Sequence, residues 1–327
     1  MAVIKKTLGI ALACAMTLSS VVAAAQASYP NRPIRWIVPS SAGAPIDAIG
    51  RKLGELMSAQ LGAPIVIENK PGAAGTIGAT EVARAKPDGY TLMLSVGDAL
   101  ISSTVTMKVP YDPQRDFTLI SKIAASGPVL VANKSMPAAD LAGAVQQART
   151  AQIPLAYGSY GQGSYPQLIM ESLARQSSIQ LIDVPYKGSP PAMTDLLGGQ
   201  LAFTFTSTSI AAPMVADGKV KAIAVIGDRR SALLPEVQTF AEAGYDAFIF
   251  KNKAWVGLSG PAGMPADVVR KLAAAAQQVV RAPEFGKYLE NIGFDAVGNT
   301  PEEFLREYRD EYSVVPGLIK ELGVMAH

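Results

Sequence analysis

Cysteine and histidine are almost missing from this chain: Cys14 and His327 are the only examples of either. A catalytic triad with a histidine base and most zinc sites need those side chains at internal positions, so both classes are excluded for any form that has lost its first residues. His327 is the last residue, where a loose tail is expected rather than a catalytic post. Carboxylate, lysine or tyrosine chemistry is not excluded. Charge of one sign is also missing. The chain carries 29 basic and 27 acidic residues, and loss of Lys5 and Lys6 would leave the two signs equal. That balance offers no electrostatic footprint for nucleic acid or for an anionic membrane.

The first residues read as an export signal. Lys5 and Lys6 precede an apolar stretch from Leu8 to Val22, and Ala25-Gln26-Ala27 supplies small residues at a cleavage site. Residues 1–27 are therefore expected to be removed on the way to the periplasm, taking Cys14 with them and leaving no disulfide. A short signal anchor is the alternative, but Thr17, Ser19 and Ser20 interrupt the apolar run. Lipidation at Cys14 is a further alternative, with a poor sequence context.

The remaining length suits two domains of ordinary size. Short apolar, β-branched runs alternate with helical patterns, which argues for α/β layers with largely parallel sheets. Strands are expected at 34–38, 65–68, 91–94, 128–132, 154–157, 181–184, 201–205, 221–226 and 255–258. Ile46, Ile49, Leu53, Leu56, Met57 and Leu61 recur at helical spacing, with Pro45 in the first turn and Gly62 past the end. Further helices are expected at 138–151, 164–176 and 266–281, and 301–321 reads as one or two charged helices.

Two segments stand out for binding. Pro39-Ser40-Ser41-Ala42-Gly43-Ala44-Pro45-Ile46-Asp47 leaves the first strand and enters the first helix. Small residues let backbone approach a ligand there, and free amides at a helix start favour an anion. The same pattern also fits an ordinary helix cap with Ser41 or Asp47 satisfying those amides. Tyr157-Gly158-Ser159-Tyr160-Gly161-Gln162-Gly163-Ser164 repeats the arrangement in the second half, with glycine spacing that does not match a nucleotide fingerprint. One such loop in each half would grip an anion from both sides.

Several motifs then carry a resemblance. Tyr29-Pro30-Asn31-Arg32-Pro33-Ile34-Arg35, Glu68-Asn69-Lys70-Pro71-Gly72-Ala73-Ala74-Gly75, Pro87-Asp88-Gly89-Tyr90-Thr91-Leu92 and Tyr111-Asp112-Pro113 are similar to segments of the tripartite tricarboxylate transporter solute receptors, the Bug-type receptors. The likeness continues through Val184-Pro185-Tyr186-Lys187-Gly188, Thr194-Asp195-Leu196-Leu197-Gly198-Gly199, Leu234-Pro235-Glu236-Val237 and Glu242-Ala243-Gly244. The first loop departs from the family pattern at Ser40, Ser41, Ala44 and Ile46. Gln167 stands where a histidine is common, and Leu201-Ala202-Phe203 lacks a frequent aspartate.

The resemblance implies a type II periplasmic-binding-protein fold, two α/β lobes joined by crossing strands around a central cleft. Lobe 1 would comprise residues 28–126 and 255–327 and lobe 2 residues 127–254, with crossings within 120–131 and 250–258. It also implies a receptor, not an enzyme, that closes by a hinge on a small organic acid, with no cofactor and no metal. Contacts would come from Ser40, Ser41, Ala42 and Gly43, with Asp47 beside them, and from Ser159, Tyr160, Gly161, Gly163 and Ser164 opposite. Gly97 and Asp98, after the third strand, would edge the cleft, and Tyr186, Lys187, Thr206 and Ser207 would complete its wall. The expected partners are membrane permease subunits or, as the alternative, a sensor kinase; nucleic acid is not expected, and the chain is expected to be a monomer.

Overall fold

The computed structural model describes residues 29–186 and 188–324, so the expected export signal, Lys187 and His327 lie outside the described residues. Strand β1 (Ile34–Val38) leads into helix α1 (Pro45–Leu61), whose buried stripe is Ile46, Ile49, Leu53, Met57 and Leu61. Pro45 presets the first turn. Gly62 ends the helix in the left-handed conformation at φ 68°, its amide donating to Ser58 O. Gly50 and Gly54 let the helix lie close on the sheet, since a Cβ on either would come within 3.1–3.2 Å of Leu94 or Ile65.

The chain continues through β2 (Ile65–Asn69), α2 (Thr76–Ala83), β3 (Thr91–Val96), α3 (Ser102–Thr106) and β4 (Phe117–Ser126). Next come β5 (Val129–Asn133), α4 (Leu141–Thr150), β6 (Leu155–Ser159), α5 (Tyr165–Ser177), β7 (Leu181–Pro185), α6 (Ser189–Leu197), β8 (Phe203–Thr206), α7 (Thr208–Ala216) and β9 (Val220–Val225). The short α8 (Phe248–Lys251) precedes β10 (Ala254–Pro261), α9 (Ala266–Arg281), α10 (Pro283–Asn291), β11 (Asp295–Ala296) and α11 (Pro301–Glu321).

These strands form two sheets, ordered β11-β4-β10-β3-β1-β2 and β7-β6-β8-β5-β9. Each is the layer of one α/β lobe. In the first, β1 is parallel to β2 and β3; in the second, β6 is parallel to β7 and β8. The sheets are mixed rather than largely parallel. β10 runs antiparallel to both β3 and β4, and β5 antiparallel to both β8 and β9. The reason is the connection between lobes: each of these strands begins just after the chain has come across from the other sheet, and it enters its own sheet against the direction of its neighbours.

The crossings are correspondingly short. The expected crossing at 120–131 is mostly the sheet strands β4 and β5, with only Gly127 and Pro128 between them. A Cβ at Gly127 would strike Ile226 O, just past β9, at 2.0 Å and would lie 3.5 Å from Lys253 Cε of the second passage, so the two passages run side by side there. The later one ends at Lys253, before β10 is buried between β3 and β4.

Asp140 starts α4 later than sequence periodicity indicates, because its carboxylate accepts the Gly143 amide at 2.8 Å. At the other end of the chain, α11 is one helix despite Pro316. Thr300 and Glu303 cap each other's backbone at its start. Its first half packs Phe304 edge-on to Trp255 at 5.0 Å and ties Tyr308 Oη to Leu100 O and Pro113 O. Its last turn reaches lobe 2, where Arg175 pairs with Glu321 at 2.9 Å.

Candidate ligand cleft

The sheet orders decide which loops meet. β1 and β3 are neighbours, so the segments that leave Val38 and Val96 lie side by side; β6 and β8 are neighbours, so those that leave Ser159 and Thr206 do too. Parallel strands place all of these at carboxyl ends, where open α/β sheets bind ligands.

In the first loop Ser41, Ala42 and Gly43 are exposed, and Ser40 is half-buried. The Ser41 and Ala42 amides donate to nothing among the described residues. Ser40 Oγ is shielded from solvent and has no hydrogen-bond partner among the described residues. Gly43 takes φ 82°, a conformation costly for a side-chain-bearing residue, and its amide donates to Asp47 Oδ2 at 2.8 Å. Asp47 itself is 3 % exposed and fully engaged, receiving Arg51 and Asn69 as well. Burial pushes its carboxyl up, but the bonds from Arg51, Gly43 and Asn69 outweigh that and hold it below the usual range. Asp47 is therefore part of the framework that shapes the loop.

Ser40, Ser41 and Asp98 share one cavity of about 290 Å³, floored by the turn from Gly72 to Gly75. That size approaches the lower end of small-molecule sites, roughly 300–1,000 Å³. Ala73 and Ala74 in that turn have φ of 45° and 51°, left-handed values that L side chains rarely adopt. The turn was visible in the sequence only as part of a family motif. Gly97 lies flat over the Trp255 indole, where a Cβ would come within 2.9 Å. Asp98, next to it, is partly buried; burial raises its carboxyl to about 6.

The second loop is held from inside. Ser159 is fully buried, its Oγ accepting from the Gly161 amide at 3.4 Å and its O from the Tyr186 amide at 3.0 Å. Tyr160 Oη donates to Phe205 O at 2.6 Å, and its amide to Ser164 Oγ at 3.2 Å. Gly163 donates to Gln167 Oε1 at 2.8 Å, and Gln167 Nε2 to Asp183 at 2.7 Å. Gln167 thus fastens the loop to β7. Thr206 is buried and receives Ser189 Oγ at 3.0 Å, while Ser207 begins α7 and bonds Ser209. Tyr186 Oη donates to Asp195 at 2.6 Å, which raises the phenol to about 12 and keeps it neutral.

The lobes touch directly across the cleft. A Cβ on Gly163, which has φ 73°, would lie 2.6 Å from Thr106 Cγ2, and one on Gly293 would lie 2.9 Å from Ser209 Oγ. Behind these contacts Tyr165, at the start of α5, is buried against lobe 1 and receives a bond from Asn252. Trp255 Nε1 donates to Glu311 at 2.7 Å. Lys251 pairs with Asp246 and Lys253 with Asp295, both away from the serine loops. Among the described residues no cluster of three or more potential metal ligands occurs, and no helix is long and apolar enough to cross a membrane.

Residues 49–324 match the family described as the tripartite tricarboxylate transporter family receptor. The chain belongs to that receptor family. A relative from Pseudomonas sp. (strain P51), named for the tcbD-tcbE intergenic region, is 32 % identical over 317 residues, spanning 97 % of this chain and 94 % of its own. The solved structure of R. palustris Rpa4515 with adipate superposes with TM-score 0.80 at 27 % identity, over 91 % of this chain and 100 % of that one. MatC from Rhodopseudomonas palustris, with bound malate, gives 0.76 at 30 % identity, over 89 % and 100 %. This tripartite tricarboxylate family receptor is accordingly a Bug-type, two-lobed solute-binding protein and not an enzyme.

Proposed function

We propose that this receptor is exported to the periplasm, closes its lobes on a small carboxylate, and delivers it to a tripartite-type membrane permease. The observation that carries the reading is the pairing of two small-residue loops across a direct lobe contact. Ser40, with its shielded hydroxyl, and Ser41, with its unpartnered amide, line a cavity in lobe 1 beside the likewise unpartnered Ala42 amide, while Gly163 of lobe 2 packs on Thr106 of lobe 1. Amides and hydroxyls of this kind receive a carboxylate, and closure removes it from water, which strengthens each bond. Residues 28–126 with 255–327 and residues 127–254 would then move as the two bodies about the crossings near Gly127 and Lys253. The adipate and malate complexes of the two R. palustris relatives support a carboxylate as the cargo.

The decisive contact is testable because it is so close. Gly163→Ala places a methyl 2.6 Å from Thr106 Cγ2, and Thr106→Ser removes that carbon. Calorimetric titration with a panel of organic acids, including adipate, malate and their amino-substituted counterparts, is expected to show at least a tenfold loss for Gly163→Ala and partial recovery in the double variant. Unchanged affinity in Gly163→Ala would sink the closure reading, and a panel without a single binder would sink the carboxylate reading. Recovery of permease subunits with the liganded protein from membranes tests delivery.

A further inference from the structure

Among the described residues Asp98 is the one titratable side chain that lines the lobe 1 cavity, and no described lysine or arginine lines it. Its carboxylate accepts no hydrogen bond and meets no cation among the described residues, in contrast to Asp47 nearby, which has three partners. Tyr165 from α5 and Glu311 from α11 lie close to the same place, and Lys122 from β4 lies near Glu311 but is paired with Glu307. The cavity therefore holds two kinds of recognition chemistry at once. Free amides and serine hydroxyls suit an anion, and a bare carboxylate beside them suits a donor. A ligand with carboxylates at both ends would bring one of them against Asp98, with no positive charge among the described lining residues to offset the contact.

We propose that the receptor selects a monocarboxylate that also carries a hydrogen-bond-donating group, an ammonium above all, with Asp98 as the residue that receives it. This rests on the carboxylate-receptor reading above and names the ligand class within it. An ammonium would satisfy a carboxylate that is otherwise desolvated without compensation, and charge-assisted bonds of this kind are the strong ones. Burial supports the assignment, since it already raises the Asp98 carboxyl to about 6. An aminocarboxylate would favour the ionised form and release a proton on binding near that pH, whereas a dicarboxylate would favour the protonated form and take one up.

The test is calorimetric titration of the full chain with matched pairs, 4-aminobutanoate against succinate and 6-aminohexanoate against adipate, in wild type and Asp98→Asn at pH 5 and pH 8. The expected result is that wild type at pH 8 binds the amino member of a pair at least tenfold more tightly. Asp98→Asn should abolish or reverse that ratio, and the ratio in wild type should shrink at pH 5. Thermal unfolding of Asp98→Asn checks the fold, and the pH comparison repeated in that variant separates Asp98 from Glu311 and from the ligands' own second carboxyl. Tighter binding of the dicarboxylates, with a ratio unchanged in Asp98→Asn, overturns this inference and leaves the carboxylate-receptor reading standing. Failure of all four compounds to bind overturns both.

Discussion

Glu311 offers a quantitative check on how the two lobes and the last helix are joined. The residue is 4 % exposed, accepts the Trp255 indole N–H at 2.7 Å, and sits where β4 contributes Lys122, α5 contributes Tyr165 and the cavity contributes Asp98. Burial raises its carboxyl from 4.5 to about 7, with Trp255, Lys122 and Asn252 opposing the rise and Asp98 adding to it. Because the folded value is the higher one, the native state binds the proton more tightly than the unfolded chain. Its contribution is fully present below about pH 4.5 and is lost as pH rises through 7. A difference of about 2.5 pH units is worth about 3 kcal/mol. Glu311→Gln keeps the size and the acceptor for Trp255 but cannot ionise. Urea unfolding of both chains at pH 5 and pH 8 should therefore show a shift of about 2.5 kcal/mol in favour of the variant between the two pH values, most of the full effect. Titrations of groups that do not touch Glu311 are common to the two chains and cancel, and the coupled group in this window is Asp98. If the stability difference between them is the same at both pH values, Glu311 does not titrate in this range and the reasoning fails.

Asp47→Asn should weaken the first loop, since the charged bonds to Gly43, Arg51 and Asn69 are each worth about 1.5–3 kcal/mol when lost from a buried site. The folded carboxyl lies below 3.8, so that stability is present above about pH 4 and disappears as pH falls through the lower folded value. The penalty in denaturant unfolding should be larger at pH 7 than at pH 3 and should go on falling at lower pH, and equal penalties would contradict the assignment. Ala74→Gly should raise the melting temperature, because it relieves a left-handed alanine costing about 1 kcal/mol; a lower melting temperature would show that the methyl packs usefully on the cavity floor.

The elements themselves were legible in the sequence because each obeys a local rule. β-branched runs such as Ile34–Val38 and Val220–Val225 mark strands, and Pro45, Gly62 and the stripe from Ile46 to Leu61 bound the first helix from either end. The scarcity of cysteine and histidine, one of each and both near the chain ends, narrowed the chemistry, and the paired small-residue loops pointed to an anion. Sheet direction was not legible. Whether β5 and β10 run with or against their neighbours depends on where the chain returns from the other lobe, and nothing within either strand records that.

The roles of individual polar residues were decided by tertiary structure for the same reason. Asp47 and Asp98 look alike in sequence, each a carboxylate in the segment that follows a strand of lobe 1. One is surrounded by Gly43, Arg51 and Asn69, while the other has acidic neighbours and an open cavity. Gly163 reads as a flexible loop residue until Thr106, far away in the chain, is found against it. Local sequence determines backbone geometry and patterning, since those follow from neighbouring side chains. A carboxylate's charge state and a glycine's necessity follow from groups brought close only when the two lobes fold and meet.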